Sequence, residues 1–233
     1  MATRFYFHAT GTAAVSPAFD AGWEQTAAAV RIPMPRKLTL SAATALTNSA
    51  AITIPITTTQ QILAWQGVSD DVFAPLRITA QDLFSMVVRC SENANTNNAH
   101  LAYVLRAFSM DGSASLGTLA SSMTTASEFP LTASAATRIF GNGTTTIALT
   151  ATTINQPWRV VLDFGAHAQG PTAAGSFIQR VGCSDAADFA LTTALTTDLN
   201  PWMELSCNLN ATRFNNYQSV RVGNGMSTSE RIR

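Results

Sequence analysis

The chain has 233 residues; 12% are charged, and its 14 basic and 14 acidic side chains cancel at pH 7. That balance excludes a global field drawing it to nucleic acid or to an anionic membrane. No run approaches the roughly 20 apolar residues that span a bilayer, and residues 1–8 lack the apolar stretch of a secretory signal.

With so few charges, the polar surface must be built from Thr, Ser, Asn and Gln. Threonine is β-branched and stiff at χ1, so this composition favours sheets over helices. Charge is also depleted at the centres of protein interfaces, which points to a surface that faces another protein, the alternative being a neutral polar surface with no partner.

Residues 3–8 (TRFYFH) read as a short strand. Residues 9–35 show little periodicity beyond two aromatic anchors, Phe19 and Trp23, and read as an extended arm or long loop pinned by those rings. Residues 53–57 and 61–66 are short strands, the first demoted to an edge by Pro55, and residues 67–71 (GVSDD) read as a turn. Residues 77–79 lead into 83–89 (LFSMVVR), apolar on both faces and therefore central. An Asn-rich loop follows at 91–98, then a long strand at 101–109 ended by Asp111-Gly112, and a short strand at 116–119. Residues 138–149 read as a hairpin around Gly141-Asn142-Gly143, since Asn-Gly supplies the positive φ angles of a tight turn.

The most regular stretch runs from Trp158 to Leu209. In residues 158–164, Trp158, Val160, Leu162 and Phe164 share one face while Arg159, Val161 and Asp163 share the other. In residues 202–207, Met203, Leu205 and Cys207 alternate with Trp202, Glu204 and Ser206. Both runs follow a proline and have the period of two of half-buried strands. A further strand lies at 177–181, and 185–198 is a polar connection. Residues 210–233 form a mildly basic tail, with Arg213, Arg221, Arg231 and Arg233 against Glu230 alone. Many short strands without an amphipathic helix give an all-β chain: an antiparallel β-sandwich, jelly-roll-like, over residues 1–209, with an extended N-terminal loop or arm and a C-terminal tail.

Chemistry is sparse. The three cysteines, Cys90, Cys183 and Cys207, interrupt apolar runs and read as free buried thiols. His8, His100 and His167 share no metal-ligand spacing with one another or with Cys or Asp. Asp163 and Glu204 would form a glycosidase-like carboxylate pair only if their strands were neighbours; otherwise each is the outward residue of an alternating strand. Asp70, Asp71, Asp111, Asp185, Asp188 and Asp198 fall in loops, with no defined calcium-loop spacing. Ser16, Ser69 and Ser184 lack a nucleophile-elbow context. The four tryptophans, Trp23, Trp65, Trp158 and Trp202, suit core or interface anchors, with a sugar-stacking platform as the alternative. No catalytic residue, cofactor or metal is expected.

Residues 5–7 (FYF), 16–24 (SPAFDAGWE), 89–92 (RCSE), 161–165 (VLDFG) and 200–205 (NPWMEL) resemble segments of tailed-bacteriophage virion proteins, a likeness covering residues 1–209. The resemblance implies a structural part of the particle, a capsid decoration (cement) protein with a jelly-roll-like body, located in the virion after synthesis in the host cytoplasm. Its partners would be the major capsid protein and copies of itself, as a homotrimer, with no nucleic acid and no membrane. Interface residues would be Phe19, Trp23 and Trp202, with Arg213, Phe214, Tyr217 and Arg221 from the tail. A tail, fibre or baseplate component, or a carbohydrate-binding module, are the alternative readings.

Overall fold

A computed structural model describes residues 2–36, 44–48, 51–54, 59–94, 97–123, 128–129, 131, 137–138, 147–169, 175–183 and 200–209. In chain order the strands are β1 (Thr3–Tyr6), β2 (Val30–Met34), β3 (Thr44–Asn48), β4 (Ile52–Ile54), β5 (Thr59–Ser69), β6 (Leu76–Ile78), β7 (Leu83–Glu92) and β8 (Ala99–Ser109). They continue with β9 (Ser115–Ser122), β10 (Thr137–Arg138), β11 (Ile147–Ala148), β12 (Thr152–Ile154), β13 (Trp158–Gln169), β14 (Gly175–Cys183) and β15 (Trp202–Leu205). The fold is all-β, with no helix among the described residues.

A five-stranded sheet has the order β2-β5-β13-β8-β9. Its pairings are antiparallel except β2 with β5, which is parallel. An eight-stranded sheet has the order β1-β15-β7-β14-β3, with β10 and β11 also on β7 and β4 also on β14. Strands β6 and β12 form a small separate ribbon.

The two large sheets share one apolar core. Phe5, Phe7, Phe84, Met86, Val88, Phe177, Met203 and Leu205 of one side meet Ile62, Leu101, Tyr103, Leu105, Val160, Leu162 and Phe164 of the other. Rings interlock across the gap, with centroids 5.0 Å apart for Phe7 and Phe164 and 5.3 Å for Phe84 and Tyr103. Each fully buried ring of this kind contributes about 1.5–3 kcal/mol by leaving water. Gln179 links the two sheets through the core: its side-chain amide donates to the Gly165 carbonyl at 2.9 Å, and the Trp65 indole N–H donates to the Gln179 carbonyl at 3.3 Å. Gly165 sits where the β5–β13 register slips by one residue. A Cβ there would collide with the Ile62 carbonyl oxygen and the Ala64 nitrogen, both backbone, so the bulge requires glycine.

The first residues stitch the sheets together. Strand β1 pairs with β15, and the chain then crosses over: the Tyr6 N–H donates to the Pro35 carbonyl at 2.9 Å, and His8 N–H to Pro33 at 3.2 Å. Phe7 accepts a hydrogen bond from the Gly182 N–H at 2.7 Å on the β14 side. The two prolines therefore present carbonyls to the crossing segment on a side where their missing N–H groups are not called upon.

Several expectations change. Val30–Met34, read as part of an arm or long loop because residues 9–35 show little periodicity, is strand β2. Gly67, Val68 and Ser69, read as a turn, continue strand β5. The described flanks of the expected hairpin, β10 and β11, each run antiparallel to β7 and do not pair with each other; the turn at 141–143 lies outside the described residues. Strand β13 is not half-buried: Val161 and Asp163, expected to face outward, are fully buried.

Candidate functional site

The second face of the five-stranded sheet explains that burial. Residues 9–29 lie across it as a strap. At one end Trp23 packs with Leu63, Ala102 and Val104, flanked by Phe19 and Met123. At the other, Ala13 and Val15 cover Val68, Phe108 and Val161. Gly112, at φ 75, turns the β8–β9 loop beneath Val15, whose side chain leaves no room for a Cβ there.

Between the two apolar ends lies a buried polar latch. The Arg106 guanidinium donates to Asp163 Oδ2 at 2.6 Å and to the Ala18 carbonyl at 2.9 Å. Asp163 also accepts from the Asp20 N–H and from Gln66 Nε2, each at 2.9 Å. Arg31 completes the arrangement, donating to Gln66 Oε1 at 2.6 Å and to the Pro17 carbonyl at 2.9 Å while its guanidinium lies over the Phe19 ring. Burial pushes the Asp163 carboxyl above its usual range, against the pull of Arg106 and the two amide donors. The backbone of residues 17–20 is thus held by two guanidiniums rooted in the sheet. The expected arm is pinned by its aromatic anchors, and to the chain's own sheet.

The other candidate groups are also engaged locally. Asp163 and Glu204 lie in different sheets and do not form a carboxylate pair. Glu204 is bridged by Arg4 at 3.0 Å across β1 and β15, and the same guanidinium covers the Trp202 ring at 3.8 Å. All four tryptophans are buried, so none offers a face to a sugar ring, and Trp23 and Trp202 are covered within the chain. Phe19 is partly buried against the strap's own cluster, while Arg213, Phe214, Tyr217 and Arg221 lie outside the described residues.

Ser69 Oγ donates to the Asp71 carbonyl and accepts from the Val160 N–H. Arg159 ties the carbonyls of Ser69, Asp70 and Met110 together, and Arg36 pairs with Asp71. Burial, then the Asp71 charge, pushes Asp70 up. The Asp111 carboxylate is held down to about 2 by the Ser109 hydroxyl and by the Ser113 N–H and hydroxyl. The Cys90 thiol is buried; Cys207 is partly buried, and its thiol is pushed up to about 11 by that burial. The Cys183 side chain, Asp185, Asp188 and Asp198 lie outside the described residues.

A shallow groove of about 540 Å³ opens between β7 and β14, lined by Ser91, Glu92, Asn93, Ser176, Phe177 and Leu131. Its one carboxylate, Glu92, accepts a hydrogen bond from the Ala99 N–H at 3.0 Å. Among the described residues no three His, Cys, Asp or Glu side chains stand close enough together to hold a metal ion.

Sequence reasoning missed the latch because Asp163, Arg106 and Asp20 come from three distant segments. The available signal was an Arg and an Asp each placed mid-strand in a chain with very few charges. No family model, no curated protein and no solved structure matches this chain.

Proposed function

We propose that the chain is a non-enzymatic structural component of a tailed-phage virion, a capsid decoration (cement) protein that binds the outer surface of the head. Its body would be a β-sandwich of jelly-roll type, and its partners the major capsid protein and two further copies of itself. The observation that carries this reading is the strap. One buried guanidinium (Arg106), one half-buried (Arg31), an aspartate and a tryptophan serve to clamp the chain onto its own sheet, which stiffens the body and adds no substrate contact. A rigid, charge-poor block is suited to packing against neighbours, because little ordering entropy remains to be lost on docking. Since residues 9–29 are clamped, the docking role falls to residues 210–233 and to the exposed rim.

The test is a chain truncated after Leu209, mixed with particles that lack it. Retained folding by circular dichroism with lost particle binding supports the proposal; unchanged occupancy refutes the role given to the tail.

A further inference from the structure

His100 and His167 are 67 positions apart in sequence, yet the β8–β13 register places them directly opposite each other. Directly opposed residues of antiparallel strands point to the same face, with Cβ atoms about 4.5–5.5 Å apart. The neighbours Ala99, Leu101, Ala166 and Ala168 fill the core, so both imidazoles stand on the opposite face, at the rim of the strap, and each is partly exposed. The row extends on both sides: Gln61 opposes His167 on β5, and Glu128 bridges to His100 on the far side. Glu24, on the strap, accepts a hydrogen bond from the Gln61 N–H at 2.8 Å and acts electrostatically on His167.

We propose that His100 and His167 form a two-imidazole site for a divalent transition-metal ion of the zinc, nickel and copper class. Imidazole nitrogen suits these ions, at about 2.0–2.1 Å for zinc. Two side chains on a stiff strand pair present their nitrogens with little ordering cost, and water completes the coordination shell. The Glu24 carboxylate, held beside Gln61 on the strap, supplies a favourable field for a cation.

Gln61 adds a second, independent feature. Its amide stands 2.6 Å from His167 Nδ1, while its Oε1 is buried without a hydrogen-bond partner. A half-turn of the amide brings Oε1 to the imidazole, where it accepts a hydrogen bond from Nδ1–H and leaves the Nε2 lone pair free for the metal. This is the carbonyl-to-histidine support that metal-bound imidazoles commonly have. A bound ion would join β8 to β13 beside the point where Glu24 and Gln25 meet β5. The inference is independent of the proposed virion role.

The test is calorimetric titration of the full chain with Zn²⁺ and Ni²⁺, with Cu²⁺ electron paramagnetic resonance read in parallel. One ion per chain and a copper spectrum with two coordinated nitrogens are expected. His100→Gln and His167→Gln should each abolish the one-to-one site, and His8→Gln should retain it. Gln61→Ala should keep the stoichiometry and weaken binding by about tenfold or more. Equal binding by wild type and the His100→Gln/His167→Gln double variant overturns the proposal. If either variant does not fold, the wild-type copper spectrum decides alone: two nitrogens support the site, and one or none refutes it.

Discussion

Replacing Asp163 with alanine tests the strap most sharply. The side chain is fully buried and accepts from Arg106, Gln66 and the Asp20 backbone at 2.6, 2.9 and 2.9 Å. Removing one partner of a buried ion pair costs about 3–5 kcal/mol, because the other charge is left uncompensated. Arg106 would retain the Ala18 carbonyl at 2.9 Å and the Asp20 carboxylate at 3.9 Å, whose side chain is 29% exposed. That residual support places the expected loss at the lower end, about 3 kcal/mol. For a chain of this size the loss corresponds to a fall of about 6–12 °C in Tm. Thermal unfolding would measure the total, and limited proteolysis the local part, since residues 9–29 should become the first site of cleavage. Asp163→Leu combined with Arg106→Met should cost less than the sum of the two single changes, because no lone charge remains. A Tm drop below about 2 °C with an uncleaved strap would refute the latch, since breaking a buried pair should cost far more.

Three further outcomes follow from the same geometry. Gly165→Ala should destabilise by about 3 kcal/mol or more, because the new Cβ meets only backbone, whereas Gly67→Ala meets the flexible Met34 side chain and should cost about 1 kcal/mol; chemical denaturation compares them. The Asp111 carboxylate, held to about 2 against an ordinary 3.8, favours the folded turn above the ordinary value and loses that contribution as pH falls through about 2. A carbon-detected titration with its midpoint near 4 would contradict this. Cys207, pushed up to about 11, should expose roughly one thiolate in a thousand at pH 8, so alkylation of the native chain there should be slow and should accelerate on unfolding.

The all-β class and most strand centres were legible because alternation and turn dipeptides act locally. Strands β7 and β8 were found with ends within a few residues of those observed, and the apolar register of β13 identified its core face correctly. What could not be read was the second face. Alternation of Arg159, Val161 and Asp163 with large apolar residues signals solvent only if nothing covers that side, and the cover here lies some 140 positions earlier in the chain. The same limit hid β2, whose parallel pairing with β5 tolerates Pro33 and leaves no alternation to detect. It also hid the His100–His167 row, which is created by register and not by spacing. The apolar core was therefore visible in the sequence, whereas the polar latch required the fold.

The virion assignment is tested most directly by locating and counting this chain in purified particles, by quantitative mass spectrometry together with cryo-electron microscopy. The account predicts density on the outer head surface, at trimer positions and in a fixed ratio to the major capsid protein. A chain absent from the particle, or confined to a few copies at the tail, would contradict it.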